Sequence, residues 1–485
     1  MSEDLLQEAL DTASRSGARF TDARLFLHNR LEYLSIRNGT PEVLSTGDEP
    51  GFGIRVLGRG GWGFASTTRL DRASIRETAE WAVRLSRRTG MADAEVPFAL
   101  ENNLPHGGTY ETRVREDPFA VPLEEKIRIL SEAEAALHVA PEVKSGKAEM
   151  TVWHEEKLYA SSEGASYRSA ITHVGGGISA VAHTEGESQR RSYPNSFGGD
   201  FAQGGFEFIR GLDLPRQADR VGKDAVALLS APTAPSGTMD LVLSSDQLSL
   251  QVHESVGHAT ELDRVFGYEA GFAGTSFVRP GDIGKLRYGS PVMNIVADAT
   301  VPGAMGSFGW DDEGVPARRV DIVRNGILSG FLSSREMAAR QGLPSSGGTV
   351  RGDGPLRMPI IRMTNVNLLP GDHGRDELIS EVKDGIYMET NVSWSIDDKR
   401  LNFQFGTEVG RRIEHGELTT LVRNPIYTGI TPEFWGSLEA LGNKDTYHVW
   451  GLPNCGKGQP TQTMRVAHGA PLGLFRHVRI GGTGG

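Results

Sequence analysis

The stretch His253-Glu254-Ser255-Val256-Gly257-His258 sets two imidazoles five positions apart with a carboxylate beside the first, and the chain's single cysteine, Cys455, follows about two hundred residues later. Two neutral imidazoles and a thiolate give a tetrahedral ion three protein ligands and leave the fourth position to water. That is the arrangement of a catalytic rather than a structural zinc site. Glu254, next to a ligand, is placed to serve as the base.

The spacing constrains the local backbone. Histidines four apart lie about 40° from each other around an α-helix, whereas five apart they diverge by about 140°. A regular helix cannot turn both toward one ion, but a π-bulge brings i and i+5 onto one face. Gly257, just before the second histidine, lowers the steric cost of such a distortion. A π-bulged or kinked helix is therefore predicted here, and a straight one would exclude the metal.

The surrounding sequence says how this helix is held. A strand-like run, Met239-Asp240-Leu241-Val242-Leu243, leads to Ser244 and Gln247, which fit a capping box. Leu248, Val252 and Val256 then form an apolar stripe that would seat the helix on a core, with His and Glu beside it. In a chain with 13 histidines the pair alone carries little; its place on a well-signalled helix gives it weight.

With the motif read this far, a family resemblance emerges. The segment from His253 to Asp263 resembles the signature of the TldD branch of the TldD/PmbA zinc metallopeptidases. Gly53-Ile54-Arg55-Val56-Leu57-Gly58 with Gly61-Trp62-Gly63-Phe64-Ala65 is similar to that family's N-terminal hairpin. Asp311-Asp312-Glu313-Gly314, Arg362-Met363-Thr364-Asn365 and Asn454-Cys455-Gly456-Lys457-Gly458-Gln459 resemble its later landmarks, in the same order. The likeness runs from about residue 5 to about residue 480. It implies His253, His258 and Cys455 as ligands of one zinc and Glu254 as the catalytic carboxylate. The sister branch lacks the histidine motif, so the resemblance implies the active subunit. The chain departs from the family pattern at Ala259 and Thr260 and over 348–355, which bears on substrate preference and not on the metal.

The ligand set implies a mechanism. Zinc lowers the pKa of a bound water to about 7 and polarises a scissile carbonyl, and Glu254 would carry the water's proton to the leaving amine. A thiolate donates more charge than a carboxylate, so a somewhat weaker Lewis acid is expected than in a site of two histidines and a glutamate.

Composition sets the frame. A chain of 485 residues is too long for one ordinary core, and two domains are expected. Hydrophobic residues at 38% and charged ones at 23% mark a globular protein, and 61 glycines point to a turn-rich, β-heavy architecture. A net charge of −11, from 51 basic and 62 acidic residues, argues against a broad nucleic-acid surface, so that any link to DNA gyrase would be indirect. One cysteine excludes an internal disulfide framework and fits a reducing compartment. The acidic start Met1-Ser2-Glu3-Asp4-Leu5 enters an amphipathic helix without the form of a signal peptide, and no run of 18 apolar residues exists. The expected location is the cytoplasm, with no membrane partner.

The fold class predicted is α+β in two domains. Helical periodicity marks 5–13, 75–86, 123–137 and 218–228, and strand-like runs mark 24–36, 54–57, 62–66 and 146–182, the last read as several strands with Gly175-Gly176-Gly177 between them. This gives an N-terminal α/β domain with a mixed or antiparallel sheet over 1–230. Residues 231–237, Ala-Pro-Thr-Ala-Pro-Ser-Gly, have linker composition. A mostly antiparallel, barrel-like β domain carrying the metal helix follows over 238–485, with strand runs at 292–297, 318–323 and 401–405 and short helices near 334–340 and 375–382.

Other features are read plainly. The glycine clusters at 51–53 and 58–61 precede no Gly-Lys-Ser/Thr and are hairpin turns rather than phosphate loops. Asp311-Asp312-Glu313 reads as a solvated acidic loop. The ordinary fate of a lone cysteine is as a small buried hydrophobe, but Pro453-Asn454-Cys455-Gly456-Lys457-Gly458 has the composition of a polar turn, where metal ligation accounts for a thiol. His448, His468 and His477 lie near Cys455 in sequence and read as surface or packing residues, with oxyanion or supporting roles as alternatives. Glu261 and Asp263 are placed to orient an imidazole.

The resemblance further implies a dimer, with a PmbA-type sister subunit or with a second copy, and an unfolded peptide gripped through its backbone as an added strand. Three function classes stand: a zinc peptidase acting on unfolded peptides or on leader segments of peptide precursors, another metal-dependent amide hydrolase of deformylase type, and a non-enzymatic scaffold subunit.

Overall fold

The computed structural model describes residues 2–89, 96–99 and 101–482; Met1 of the acidic start and residues 483–485 of the second predicted domain lie outside them. The fold is mixed α+β, as predicted.

The first half of the chain is organised by three long strands, Phe20–Arg37, Val143–Ser161 and Ser166–Thr184, which pair antiparallel side by side. Gly51–Leu57 and Trp62–Thr67 extend this sheet on one side as the predicted hairpin, and His106–Glu111 closes the other side in parallel with Ser166–Thr184. The sheet is therefore mixed. Two helix pairs cover it. Ser2–Arg15 and Arg72–Ser86 bury Leu6, Ala9, Ile75 and Ala79 against the hairpin end, while Leu123–Ala136 and Leu214–Ser230 bury Leu130, Ala133, Ala218 and Val221 against the long strands. Each set recurs at three- and four-residue spacing, the face that an amphipathic helix turns to a core.

Gly175, Gly176 and Gly177 do not separate strands, contrary to expectation; they lie inside Ser166–Thr184. Their role is close approach. A Cβ on Gly175 would fall 2.2 Å from the Asp200 carbonyl oxygen, and one on Gly176 2.4 Å from that of Glu149. Gly175 leaves room for the strand Asp200–Gln203 on this sheet, and Gly176 leaves room for Glu149 and Met150 of the neighbouring long strand.

The second half is built on a closed barrel of five strands, Gly237–Leu243, Asp384–Ile396, Asn402–Glu414, Pro425–Ile430 and Gly473–Gly482, the last of which pairs back onto the first. All pairs are antiparallel except Gly237–Leu243 with Asp384–Ile396. Of the three runs expected to build it, only 401–405 falls on a barrel strand. The other two became Ile295–Asp298 and Arg319–Arg324 of a separate four-stranded sheet. The segment 231–237 does not hang free: Ala234 N–H donates to the Arg423 carbonyl, and Arg423 N–H donates to that of Pro232.

The acidic run 311–313 is buried, not solvated, with its residues at most 1% exposed. Asp312 takes Lys157 at 2.8 Å and Arg24 at 3.1 Å, and Glu313 takes Arg55 at 3.0 Å. All three cations stand on the long-stranded sheet, so the run is a clasp between the two halves of the chain. Burial alone would raise the Asp312 carboxyl, but Lys157 and Arg24 outweigh it and hold it at about 2.

Candidate metal centre

The helix of the motif starts where expected. Ser244 caps it and accepts from the Gln247 N–H, but the box is not reciprocal, because the Gln247 side chain donates to the Tyr427 hydroxyl instead. Ser245–Val252 is α-helical, His253–Gly257 is a π turn whose signature bond runs from the His258 N–H to the His253 carbonyl, and His258–Thr260 tightens to a 3₁₀ turn. Leu248, Val252 and Val256 are fully buried.

Widening a helix strands carbonyls that must find other donors. Tyr288 Oη donates to the Ser255 carbonyl at 2.6 Å, and Thr260 Oγ1 donates to that of Val256 at 2.9 Å. Gly257 has a different role from the one predicted. Its φ of −52° suits any residue, but a Cβ there would meet Met363 Sδ at 2.1 Å. The glycine makes room for packing rather than easing the turn.

The π turn brings the imidazoles of His253 and His258 to a centroid separation of 4.8 Å. Cys455 Sγ lies 3.8 Å from His258 Nε2, and one donor atom from each of the three residues falls within 4.8 Å of the others. Tetrahedral zinc with ordinary Zn–N and Zn–S bonds sets such atoms about 3.4–3.6 Å apart. The cluster is slightly open relative to that figure. Cys455 does not sit in a turn. It lies 2% exposed on the strand His448–Lys457, opposite Met464, just past a register shift between Leu452 and Cys455. A bulge of this kind re-aims a side chain.

Hydrogen bonds select the donor atoms. His258 Nδ1 meets Glu261 Oε2 at 2.9 Å, so that Nδ1 carries the proton and the Nε2 lone pair is left free. Glu261 is in turn 3.4 Å from Lys457 Nζ, which also binds both oxygens of Asp263 and the Ile361 carbonyl. Those contacts explain how a lysine is buried in this strand. On the other side His253 Nδ1 lies 2.7 Å from His468 Nε2, and His468 Nδ1 lies 3.0 Å from the Val366 carbonyl. A carbonyl only accepts, so His468 Nδ1 holds a proton, its Nε2 accepts, and His253 Nδ1 donates. His253 Nε2 is thereby left free as well.

The electrostatics agree. Burial pushes His253 down to about 4, and it pushes His258 and His468 well below the usual histidine range. Both motif imidazoles are neutral, as metal ligation requires. Burial would raise the Cys455 thiol, but the lowering contributions, led by the charge of Arg362, bring it below its ordinary value. Arg362 also donates to the Cys455 carbonyl. Neutral nitrogen donors with a thiolate-prone sulfur fit zinc.

Glu254, 7% exposed, faces the same pocket. Arg400 Nη1 donates to its Oε2 at 2.5 Å. The pocket has a volume of about 390 Å³, and its lining includes Phe197, Trp394, Leu250 and Leu452. His448 lies elsewhere, on Asp200 at 2.7 Å, and His477 is exposed. Of the residues singled out in sequence, the structure thus brings together His253, Glu254, His258, Glu261 and Cys455, with His468 behind. Arg400 and Lys457 were missed. Their partners are 146 and 194 residues away in sequence, beyond the reach of any local pattern.

The chain resembles known proteins along most of its length. The PmbA/TldA metallopeptidase C-terminal domain matches residues 236–482, domain 1 matches 25–86 and the central domain matches 116–229. A metalloprotease of Methanothermobacter thermautotrophicus is 31% identical over 94% of this chain and 97% of its own. A zinc metalloprotease TldD homolog of Saccharolobus solfataricus is 25% identical over 97% of this chain and 98% of its own. The crystal structure of TldE from Thermococcus kodakarensis shares the fold at a TM-score of 0.72 and 17% identity, covering 99% of this chain and all of that one (100%). The chain belongs to the PmbA/TldD family of metallopeptidases.

Proposed function

We propose that the chain is a zinc peptidase of the TldD type, with His253, His258 and Cys455 as the ligands of one zinc ion and Glu254 as the residue that moves the proton. One observation carries this reading: the π turn joins two imidazoles to a thiol more than 190 residues away, with both Nδ1 atoms already engaged. Zinc, when bound, supplies Lewis acidity and a water of lowered pKa. Glu254 takes the water's proton and delivers it to the leaving amine, while Glu261 and His468 hold the two imidazoles in the ligating tautomer.

The substrate proposed is an unfolded peptide or a leader segment of a peptide precursor, laid against Phe197 and Trp394. An extended backbone gripped as a strand gives affinity with little sequence preference. A PmbA-type sister subunit or a second copy of this chain completes the assembly. Residues 1–230 and 238–485 are proposed as its two domains, joined at 231–237. A lone cysteine used as a ligand suits action in the cytoplasm.

Elemental analysis of the wild-type chain beside Cys455→Ala tests the site. About one zinc per wild-type chain, lost in the variant, is the expected result; a wild type that holds no zinc after reconstitution overturns it. Glu254→Gln should keep zinc and lose peptide cleavage.

A further inference from the structure

Among the described residues lining the pocket, Arg400 is the one cationic side chain. It comes from neither the metal helix nor the cysteine strand but from the turn between the barrel strands Asp384–Ile396 and Asn402–Glu414. Only Nη1 is engaged, on Glu254; Nε is buried with no hydrogen-bond partner. The side chain is 16% exposed, so part of the guanidinium stays open to the pocket beside Glu254.

The turn that carries it is fixed on all sides. Asp397 accepts the Leu401 N–H at 2.8 Å and the Asn402 N–H at 3.1 Å, and the Arg400 N–H donates to the Asp397 carbonyl at 2.8 Å. Thr431 Oγ1 donates to the Arg400 carbonyl at 2.7 Å, and the N–H groups of Thr275 and Phe277 hold the carbonyls of Asp398 and Lys399. Arg400 itself sits at φ +62°, a left-handed conformation disfavoured for an arginine and held here by its surroundings. A side chain on so braced a support is not a swinging cap over Glu254. It is a preorganised charge.

We propose that Arg400 is a further catalytic residue, which accepts the negative charge that develops on the scissile carbonyl oxygen while its other arm keeps the Glu254 carboxylate aimed. This rests on the peptidase reading above. During attack the water oxygen bonds to the carbonyl carbon, a proton passes to Glu254, and the carbonyl π pair moves onto oxygen beside the guanidinium. On collapse that pair re-forms the C=O bond, the C–N bond breaks, and Glu254 returns the proton to the amine. Donors fixed where charge develops do most when water is excluded.

The test uses Arg400→Met and Arg400→Lys in the zinc-loaded full chain, with its sister subunit where the wild type needs one. It measures metal content, kcat and KM on an unstructured peptide that the wild type cleaves, and affinity for two ligands by calorimetry. One is a phosphinic peptide with tetrahedral phosphorus in place of the scissile amide; the other is the matching product peptide. Arg400→Met should keep its metal, lose about 10²–10³-fold in kcat and a similar factor in phosphinate affinity, and change KM and product affinity by less than about threefold. Added free guanidinium should restore part of the rate, and Arg400→Lys should fall between. Equal losses for phosphinate and product would make Arg400 a ground-state anchor, and a raised kcat would make it an inhibitory cap; either overturns the proposal. A wild type that holds zinc but neither cleaves peptides nor binds the phosphinate overturns the peptidase reading itself.

Discussion

His253 Nδ1 lies 2.7 Å from His468 Nε2, and the backbone carbonyl of Val366 decides which of the two rings donates. The ligating tautomer of one imidazole is set through a second imidazole that touches no reacting group. His468→Ala should weaken zinc binding about 10–100-fold in a competition titration with a chelator. His468→Gln, whose carbonyl can still accept from Nδ1, should lose less. Unchanged affinity in both variants would mean that the relay does not orient His253.

Glu261 supports His258 with a charged acceptor where His253 has a neutral one. Glu261→Gln should therefore lower zinc affinity by a similar 10–100-fold without preventing folding. The circular dichroism spectrum of the metal-free variant should match that of the wild type.

The clasp at Asp312 places two cations in the interior opposite one carboxylate. Removing that carboxylate leaves Lys157 with Glu155 at 3.2 Å and Arg24 with no carboxylate, only the Arg357 carbonyl at 2.7 Å. Asp312→Asn should cost roughly 3–5 kcal/mol in a denaturant unfolding curve, whereas a solvated acidic residue would cost almost nothing. The sign with pH follows from a folded value of about 2 against an ordinary 3.8: this contribution is present above 3.8 and lost as pH falls toward 2.

Glu408 behaves in the opposite sense. Burial raises it to about 7 from an ordinary 4.5, although Arg191 and Ser192 pull it down. A raised carboxyl favours the fold below 4.5 and loses that contribution as pH climbs through 7. Wild-type stability should decline across that window relative to Glu408→Gln, by up to about 3 kcal/mol, as read from melting temperatures at pH 5 and pH 8.

Access should decide what is cut. The cluster of His253, His258 and Cys455 is buried and its pocket is about 390 Å³, so a folded domain cannot bring its backbone to Glu254. A peptide cleaved when free should survive when embedded in a folded carrier, as followed by mass spectrometry. Equal rates for both forms would contradict this.

What could be read in advance depended on how local the cause was. The π turn was legible because the spacing of His253 and His258 admits few backbones that face one ion, and the helix faces because apolar residues recur every three or four positions. Cys455 was legible as a companion of the two histidines but not as a strand residue. The polar run around it is extended because Lys457 finds Asp263 and Ile361 across the fold, and composition cannot show that. Asp311 to Glu313 read as a surface loop for the same reason: the cations of Asp312 and Glu313 lie on strands distant in sequence, and one of the N–H groups that hold Asp311 comes from Val350. The barrel was foreseen in kind but two of its supposed strands went elsewhere, since apolar alternation marks a strand without naming its neighbours.

The strand Gly473–Gly482 closes the barrel against Gly237–Leu243, and at Gly473 it comes so close to the metal helix that a Cβ would stand 2.8 Å from Leu248. The last stave of the barrel is thus also a wall of the helix that bears both histidines. On a ribosome this wall emerges more than two hundred residues after the motif, and Cys455 shortly before it. A nascent chain that already displays His253, Glu254 and His258 therefore has neither its sulfur nor its support. The centre proposed above can assemble only after Gly473 has followed the motif, and a chain halted between Gly257 and that strand should hold no zinc.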